Sequence, residues 1–255
     1  MVSLLKLGGS IVTFKDKPLA FNSIAVANIS KALSKFIEDE HEHLIIVHGG
    51  GSFGHYYSVK YDIHSRVDRY SLEGISYVRC SMVELNHLIV SIMLKNGLKP
   101  FTVHPSSLFI KGKDINLDAM KRLKDIAEDG LVPVVHGDIM HYDKDLYYIL
   151  SGDELMSIIA RYVNPKVAVF ALSVDGVYKD INSKELIKEL KYTSDAFISE
   201  VSIDVTGGMK RKIREAFNIA SMGIDVWFIN GLYTDRLVNA LKGYETVGTI
   251  VRGRV

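Results

Sequence analysis

Short apolar runs alternate with longer amphipathic segments along the chain. Runs rich in Val, Ile and Leu predict strands at residues 4–7, 44–48, 101–103, 132–136, 146–150, 167–172, 226–229 and 249–251. Apolar residues that recur at helical spacing predict helices at residues 24–37, 78–94, 117–127, 153–163, 206–222 and 235–241. Pro133 weakens the prediction for the fourth strand, because proline cannot donate a ladder hydrogen bond.

This alternation is typical of a mostly parallel sheet with helices packed on both faces. We therefore predict an α/β fold, a three-layer αβα sandwich with a mostly parallel central sheet. The five prolines form no linker that would divide the chain, and no internal repeat is visible. Residues 1–255 are accordingly predicted to fold as a single domain.

The composition of the chain argues against several classes of function. Hydrophobic residues make up 47% of the chain and charged residues 24%, and the formal net charge is +1. Such a small net charge gives no general attraction for nucleic acid or an anionic membrane. Any anion must therefore be held by local groups. Cys80 is the single cysteine and cannot form an internal disulfide, which favours a reducing compartment. The apolar runs fall short of the roughly 20 residues of a membrane span, and the N-terminal run is too short for a signal peptide, so we expect a cytoplasmic protein.

Glycine-rich turns join several of the predicted strands and helices. They lie at residues 6–10 (KLGGS), 48–55 (HGGGSFGH), 204–209 (DVTGGM) and 151–153 (SGD). At the carboxyl ends of parallel strands, helix N-termini present unpaired N–H groups with partial positive charge. Glycine lets such a backbone approach a phosphate closely. The turns together favour a site for phosphorylated ligands over simple tight connections.

Two groups of cations accompany these turns. Lys6 ends a buried strand, where an ammonium group is costly unless it meets an anion. Lys210, Arg211 and Lys212 follow the DVTGGM turn, where their charges oppose the helix dipole unless a polyphosphate lies there. Both positions therefore favour a nucleotide polyphosphate as ligand.

The second turn also fits a different class of enzyme. Gly49, Gly51 and Gly54 match the G-x-G-x-x-G fingerprint after a strand, and Asp68 lies near the distance expected of a ribose-binding acid. An NAD-dependent dehydrogenase is therefore an alternative. It is weakened because an earlier glycine turn takes the usual fingerprint position and because His55 stands where the fingerprint helix would pack closely. The sequence contains neither a Walker lysine nor the H-R-D and D-F-G motifs of protein kinases.

Four motifs in order resemble the amino acid kinase superfamily. They are KLGGS at residues 6–10, HGGG at 48–51, LSVDGVY at 172–178, and GGM at 207–209 followed by Lys212. Within that superfamily, Lys15, His55 and the DVTGGM segment are similar to the archaeal isopentenyl phosphate kinases. The resemblance implies the amino acid kinase fold, with residues 1–165 mainly binding the acceptor and residues 166–255 mainly the nucleotide, in a homodimer.

The same resemblance implies roles for individual residues. ATP would be bound by Lys6, Gly8, Gly9, Ser10, Gly51, Ser173, Asp175, Gly208 and Lys212. The acceptor phosphate would be bound by Gly50, His55 and Gly152, and the catalytic set is Lys6, Lys15, His55, Asp153 and Lys212. In that set Lys15 neutralises the transferring phosphoryl group, and Asp153 orients the other two lysines without taking a proton.

The reaction that the resemblance implies is direct transfer of the terminal phosphoryl group of ATP to isopentenyl phosphate, giving isopentenyl diphosphate for isoprenoid biosynthesis. Such transfer depends on positioning and charge neutralisation, and Mg²⁺ carried on ATP needs few protein ligands, so no metal-binding residue is assigned. A phosphate acceptor is already ionised and needs no general base, so we interpret His55 as a hydrogen-bond donor that selects phosphate over carboxylate. The segment at residues 78–94, with Tyr70 and Tyr77 near its start, is either a core helix or a wall of the pocket for the hydrocarbon tail.

Other activities stay open on the sequence. A relative with a phosphonate, carboxylate, carbamate or nucleotide acceptor would share most of these motifs. A non-catalytic nucleotide sensor would share the fold, although lysines kept at three separate places argue against it.

Overall fold

The computed structural model describes residues 1–14, 16–179, 185–191 and 207–253. Its helices are α1 (Gly9–Val12), α2 (Ser23–Glu40), α3 (Gly51–Lys60), α4 (Leu72–Lys95), α5 (Leu117–Glu128), α6 (Gly152–Val163), α7 (Gly207–Ala220) and α8 (Thr234–Lys242). Its strands are β1 (Val2–Leu7), β2 (His43–His48), β3 (Pro100–Thr102), β4 (Phe109–Lys111), β5 (Asp114–Ile115), β6 (Val132–His136), β7 (Asp138–Asp143), β8 (Leu146–Leu150), β9 (Val167–Leu172), β10 (Asp225–Asn230) and β11 (Gly248–Val251).

A seven-stranded sheet forms the middle layer, in the order β11-β10-β9-β1-β2-β6-β3. Neighbouring strands in it are parallel, except that β11 runs antiparallel to β10. β1 lies between β2 and β9, so Lys6 is level with Val47 on one side and Phe170 on the other. The mostly parallel central sheet predicted from the sequence is confirmed.

Helices cover both faces of this sheet. Successive strand residues point to opposite faces, so Leu4 and Ile45 join one hydrophobic core while Leu5 and Ile46 join the other. Side chains of α5, α6 and α7 complete the first core, and those of α2, α4 and α8 complete the second. The three-layer αβα sandwich is therefore confirmed.

The strand containing Pro133 also forms as predicted. Pairing of β6 with β2 begins at Val134, opposite Ile46, one residue after the proline. On the other side, Val132 donates its N–H to the carbonyl of Lys99. The pairing with β2 therefore begins directly after the residue that has no N–H to donate.

Helix α6 starts at the carboxyl edge of the sheet. The Ser151 hydroxyl oxygen accepts a hydrogen bond from the backbone N–H of Glu154 at 3.1 Å and caps the helix. This cap places Gly152 and Asp153 in the first turn of α6, directly beside the end of β1.

Helix α4 is the one described helix whose length and composition would allow it to cross a membrane. It packs against α2, α3 and β3, and 39% of its most apolar 18-residue stretch is buried. These contacts are those of a helix on the surface of the α/β domain.

Candidate active site

A cavity of about 1410 Å³ opens along the carboxyl edge of the parallel strands. It is lined by the predicted site residues Lys6, Gly8, Gly9, Ser10, Gly50, Gly51, His55, Gly152, Asp153, Ser173, Asp175, Gly208 and Lys212. Lys15 and the start of the DVTGGM turn lie outside the described residues. A smaller cavity of about 480 Å³, beside β11 and α7, contains none of the predicted residues. The sequence therefore pointed to side chains that the fold brings into one place.

A buried carboxylate, Asp153, gathers three cations. Its Oδ1 lies 2.8 Å from Nζ of Lys6, and its Oδ2 lies 3.3 Å from Nζ of Lys212 and 3.2 Å from Nε of Arg211. The side chains of Lys6 and Lys212 are 4% and 18% exposed, whereas that of Arg211 is 42% exposed. Three positive charges around one negative charge leave the cavity electropositive, which suits a polyphosphate.

The surroundings change the proton affinities of this cluster. Burial alone would raise the pKa of Asp153, but the charges of Lys6, Lys212 and Arg211 outweigh burial and hold that pKa below its ordinary value. Burial first, and then the neighbouring Lys6 charge, lower the pKa of Lys212 to about 8, although Asp153 opposes the shift. Asp153 is therefore a poor proton acceptor, and Lys212 can lose its charge in mildly alkaline solution.

The first two glycine turns touch each other. A Cβ added to Gly9 would lie 2.5 Å from the backbone nitrogen of Gly51, which itself has φ of +48°. Thr13 bridges the two turns, because its hydroxyl donates to the Gly9 carbonyl at 2.8 Å and accepts from the N–H of Ser52 at 2.9 Å. The predicted nucleotide and acceptor turns thus form one backbone unit that has no room for side chains at its contact.

The predicted acceptor end of the cavity combines an imidazole with apolar side chains. His55 lies in α3, is exposed at the cavity wall, and has no side-chain hydrogen-bond partner among the described residues. The same wall continues through the apolar residues Val59, Ile63, Val78, Met82, Ile149 and Leu150. The cavity therefore offers a polar contact next to a surface that suits a hydrocarbon group.

Helix α4 supplies part of this wall, which agrees with the interpretation of residues 78–94 as a wall of the pocket. Val78 and Met82 line the cavity, but Tyr70 and Tyr77 are not among its lining residues. Tyr77 is 43% exposed and stacks on Tyr57 and Tyr61 at the surface. The two tyrosines near the start of the predicted segment lie away from the cavity, because Tyr77 turns to the outer side of α4 and the Tyr70 hydroxyl donates to the Arg66 carbonyl.

The predicted nucleotide end of the cavity contains polar groups that already have side-chain partners. The Ser173 hydroxyl donates to the Ser10 hydroxyl at 2.9 Å. Asp175 forms an ion pair with Arg236 at 2.7 Å and accepts from the Asn230 amide at 3.3 Å. Among the described residues, no group of three or more His, Cys, Asp or Glu side chains is arranged to hold a metal ion.

The acid required by the dehydrogenase alternative lies elsewhere. The Asp68 carboxylate accepts hydrogen bonds from the Arg66 guanidinium at 2.6 Å and the Arg69 backbone at 2.8 Å. Asp68 does not belong to the residues that line the large cavity in the described part of the chain. The fingerprint at Gly49 therefore lacks its ribose-binding partner.

Sequence reasoning missed two charged groups at the site. Arg211 lies in the basic run of residues 210–212, but its contact with Asp153, beside that of Lys212, depends on the geometry of helix α7. Asp138, at the start of β7, lines the cavity and forms an ion pair with Arg79 of α4. Burial is the main influence on Asp138 and raises its pKa to about 7. No motif marked Asp138, because β7 itself was not predicted.

Known proteins resemble this chain along its full length. A model of the amino acid kinase family matches residues 1–230. The isopentenyl phosphate kinase of Thermoplasma acidophilum is 33% identical over 252 residues, which cover 98% of this chain and 99% of that protein. The isopentenyl phosphate kinase of Methanocaldococcus jannaschii is 32% identical over 263 residues, which cover 98% of each.

Solved structures are similar in fold as well. The crystal structure of the T. acidophilum isopentenyl phosphate kinase product complex has a TM-score of 0.80 and 29% identity, covering 99% of this chain and 100% of that chain. A crystal structure of an isopentenyl phosphate kinase substrate complex has a TM-score of 0.79 and 29% identity, covering 98% of this chain and 100% of that chain.

Proposed function

This chain belongs to the amino acid kinase family, and on that premise we propose that it is an isopentenyl phosphate kinase that transfers the terminal phosphoryl group of ATP to isopentenyl phosphate. The observation that carries the proposal is the shared cavity. A cluster of Lys6, Lys212 and Arg211 on Asp153 meets an imidazole and an apolar wall within it. The cation cluster suits the donor, and the other two features suit a phosphorylated hydrocarbon.

The acceptor explains why the site needs no strong base. A phosphate monoester is already ionised near neutral pH, so its oxygen can attack the transferring phosphoryl group directly. Asp153, whose pKa is held low by three cations, orients Lys6 and Lys212 and takes no proton. His55 donates a hydrogen bond to the acceptor phosphate, with the N–H groups of Gly50 and Gly152 beside it. Lys15 is assigned to the transferring group on the family resemblance alone.

We assign Mg²⁺ to the nucleotide, so that MgATP is the substrate. Asp153 and Asp175, the carboxylates nearest the nucleotide end, are already paired with cationic side chains. An ion held by phosphate oxygens and water suits such a site, because Mg²⁺ needs few direct protein ligands. The residues around the phosphates then contribute charge and orientation, and the ion contributes further charge neutralisation.

A coupled ADP-release assay tests the proposal. Isopentenyl phosphate, acetylglutamate, carbamate, UMP and fosfomycin are offered with MgATP, and the product is identified by phosphorus NMR. We expect ADP and a diphosphate product with isopentenyl phosphate, at a rate about tenfold or more above the other acceptors. Turnover of a different acceptor, with none of isopentenyl phosphate, would overturn the assignment.

His55→Ala tests the acceptor site itself. We expect KM for isopentenyl phosphate to rise by about tenfold or more, on the scale of one hydrogen bond to a charged group, while KM for ATP changes little. His43→Ala, at the opposite end of the neighbouring strand β2, is the matched control. Unchanged acceptor kinetics in His55→Ala would make His55 a structural residue.

We further propose that the protein works as a homodimer in the cytoplasm. The family resemblance implies the dimer, and one described surface suits it. β3 is an edge strand with unpaired backbone groups, and exposed apolar side chains lie on and beside it at Val83, Leu94 and Phe101. A second copy that packs α4 and β3 against their counterparts would cover these groups.

A further inference from the structure

Two neighbouring strands end in the same side-chain arrangement. His48 ends β2 and His136 ends β6, and the two residues are paired in register. Both are 0% exposed, and their rings stack with centroids 5.3 Å apart. In each, Nδ1 approaches the carbonyl oxygen of the following glycine, at 3.2 Å for Gly49 and 3.1 Å for Gly137. Each imidazole thus folds back on the loop that leaves its own strand.

These loops build the acceptor end of the cavity. The N–H of Gly137 donates to the His48 carbonyl at 3.3 Å, and a Cβ on Gly137 would lie 2.9 Å from the nitrogen of Gly152. A Cβ on Gly152 would in turn lie 3.1 Å from the His48 carbonyl oxygen. The loops therefore stack backbone against backbone, and glycine supplies no side chain that could fix their orientation.

The two imidazoles are neutral at physiological pH. Burial lowers the pKa of His48 to about 4 and that of His136 to about 3. A neutral imidazole has one N–H to donate. Since both Nδ1 atoms face a carbonyl oxygen, which can only accept, the proton belongs on Nδ1 in each ring.

His48 can adopt this tautomer only if the side-chain amide of Asn86 is turned by half a turn from its orientation in the structure. Its Nε2 lies 3.2 Å from Oδ1 of Asn86, whose Nδ2 lies 3.3 Å from the Thr102 hydroxyl. A half-turn of the amide presents Nδ2 to the Nε2 lone pair and Oδ1 to the hydroxyl proton, so every group is satisfied. A hydrogen-bond chain then runs from Thr102 through Asn86 and His48 to Gly49. In the described residues Nε2 of His136 has no partner, so the contact with Gly137 is the single hydrogen bond of that ring.

We propose that His48 and His136 are positioning residues, which hold the carbonyl groups of Gly49 and Gly137 and thereby fix the glycine loops that bind the acceptor phosphate. This inference rests on the proposed function. The histidines act through the loops and do not touch the acceptor. Their removal therefore weakens acceptor binding more than nucleotide binding.

Substitutions separate the Nδ1 contact from packing. The side-chain nitrogen of asparagine is the same number of bonds from Cα as Nδ1 of histidine, so it can replace the Nδ1 contact. The side-chain nitrogen of glutamine corresponds in the same way to Nε2, and leucine has no nitrogen at either position. We expect His48→Asn to keep KM for isopentenyl phosphate within about threefold of wild type, and His48→Gln and His48→Leu to raise it about tenfold or more. The rise in KM for ATP should be several times smaller. His43→Leu, at the other end of β2, is the matched control.

Two kinetic outcomes would overturn the inference. One is an equal acceptor KM in His48→Asn and His48→Leu, and the other is a parallel rise in both KM values. His136→Asn and His136→Leu repeat the comparison at the second strand, and circular dichroism checks that each variant is folded.

A measurement on the wild-type protein needs no stable variant. In a protein labelled with ¹⁵N-histidine, long-range proton–nitrogen spectra at neutral pH report the tautomer of each ring. We expect neutral rings with the proton on Nδ1 for His48 and His136, and an Nε2–H or imidazolium form of either would overturn the inference. If wild type does not turn over isopentenyl phosphate, the proposed function fails, while the spectra still decide the histidine assignment.

Discussion

At the scale of single residues, the site depends on one carboxylate shared by cations from distant segments. Lys6 comes from β1, Asp153 from α6, and Arg211 and Lys212 from α7. Removing one partner of a buried ion pair leaves an uncompensated charge. Asp153 has more than one partner, so the loss of Lys212 leaves it paired with Lys6 and Arg211. This redundancy allows catalytic and structural effects to be measured separately.

Lys212→Ala is expected to lower kcat/KM by a hundredfold to a thousandfold, about 3–4 kcal/mol of transition-state stabilisation, as for other preorganised charge-stabilising groups. Lys6→Ala is expected to lose as much and to destabilise the fold as well. Lys210→Ala, which removes an exposed charge from the same helix, is the control and should stay close to wild type. Near-wild-type rates in both Lys6→Ala and Lys212→Ala would refute the assigned roles.

The lowered pKa of Lys212 predicts a pH dependence. Since that pKa is about 8 in the free enzyme, kcat/KM for ATP should fall as pH rises through this value and the ammonium charge is lost. Stability should move the other way, because above about pH 8 the unfolded chain binds more protons than the native state until the ordinary lysine pKa is reached. Lys212→Arg does not titrate in this range, so its profile should lack the decline. A wild-type profile that stays flat above this pH would contradict the shifted pKa.

At the scale of elements, the contact between the first two glycine turns links the two proposed substrate sites. Both turns leave neighbouring parallel strands at the same edge of the sheet. Thr13 joins them by two hydrogen bonds, and their backbones meet at Gly9 and Gly51. A substitution at this contact therefore disturbs both turns.

Gly9→Ala is expected to impair both substrates, because its methyl group would lie 2.5 Å from the backbone of Gly51. Both KM values should rise together, in contrast with the acceptor-selective effect at His55. Gly130→Ala is the control. It has no heavy atom within 4 Å of its added Cβ but a φ of +88°, so it should lose about 1 kcal/mol of stability with normal kinetics. A change in KM for ATP alone in Gly9→Ala would argue against a joined unit.

Periodicity predicted the elements that have a strong apolar pattern, and it missed those that do not. β9 and α6 were predicted within one residue of their bounds, since β9 is buried throughout and α6 has a broad buried face. α3 was missed because its sequence, GSFGHYYSVK, has no apolar stripe and buries only Ser52, Phe53 and Ser58. β7 was missed because its second half is polar and partly exposed.

The same limit applies to the site. Glycines and lysines at strand ends were visible in the sequence, because phosphate chemistry demands those residue types there. Arg211, Asp138 and the tautomers of His48 and His136 depend on side-chain contacts between elements, which no linear pattern encodes.

At the scale of the whole molecule, the net charge is almost balanced, while the positive charge at the cavity is concentrated on three side chains, two of them largely buried. A ligand is therefore captured by local geometry rather than by a general field. We therefore expect the association rate of MgATP to change only weakly with salt concentration, apart from the screening of the charge on MgATP itself.

The proposed dimer surface yields a prediction at this scale. Leu94→Glu, on the outer side of α4, should convert a dimer to a monomer in sedimentation equilibrium, because a carboxylate would be buried at the contact. Ile110→Glu, which is 76% exposed on a separate hairpin, should leave the mass unchanged. If both variants stay dimeric, the contact lies elsewhere on the surface. If the wild-type protein is a monomer, the proposed dimer does not exist.

The two ends of the cavity are built from different parts of the chain. We assign the donor to the cations gathered by β1, α6 and α7, while α3, α4 and the β7–β8 hairpin enclose the other end. Because of this division, apolar residues that line the enclosing segments, such as Val59, Val78 and Ile149, can be exchanged to admit longer or branched alcohol phosphates while the two joined glycine turns stay intact. The architecture is therefore a natural starting point for synthetic routes that make unusual diphosphate building blocks.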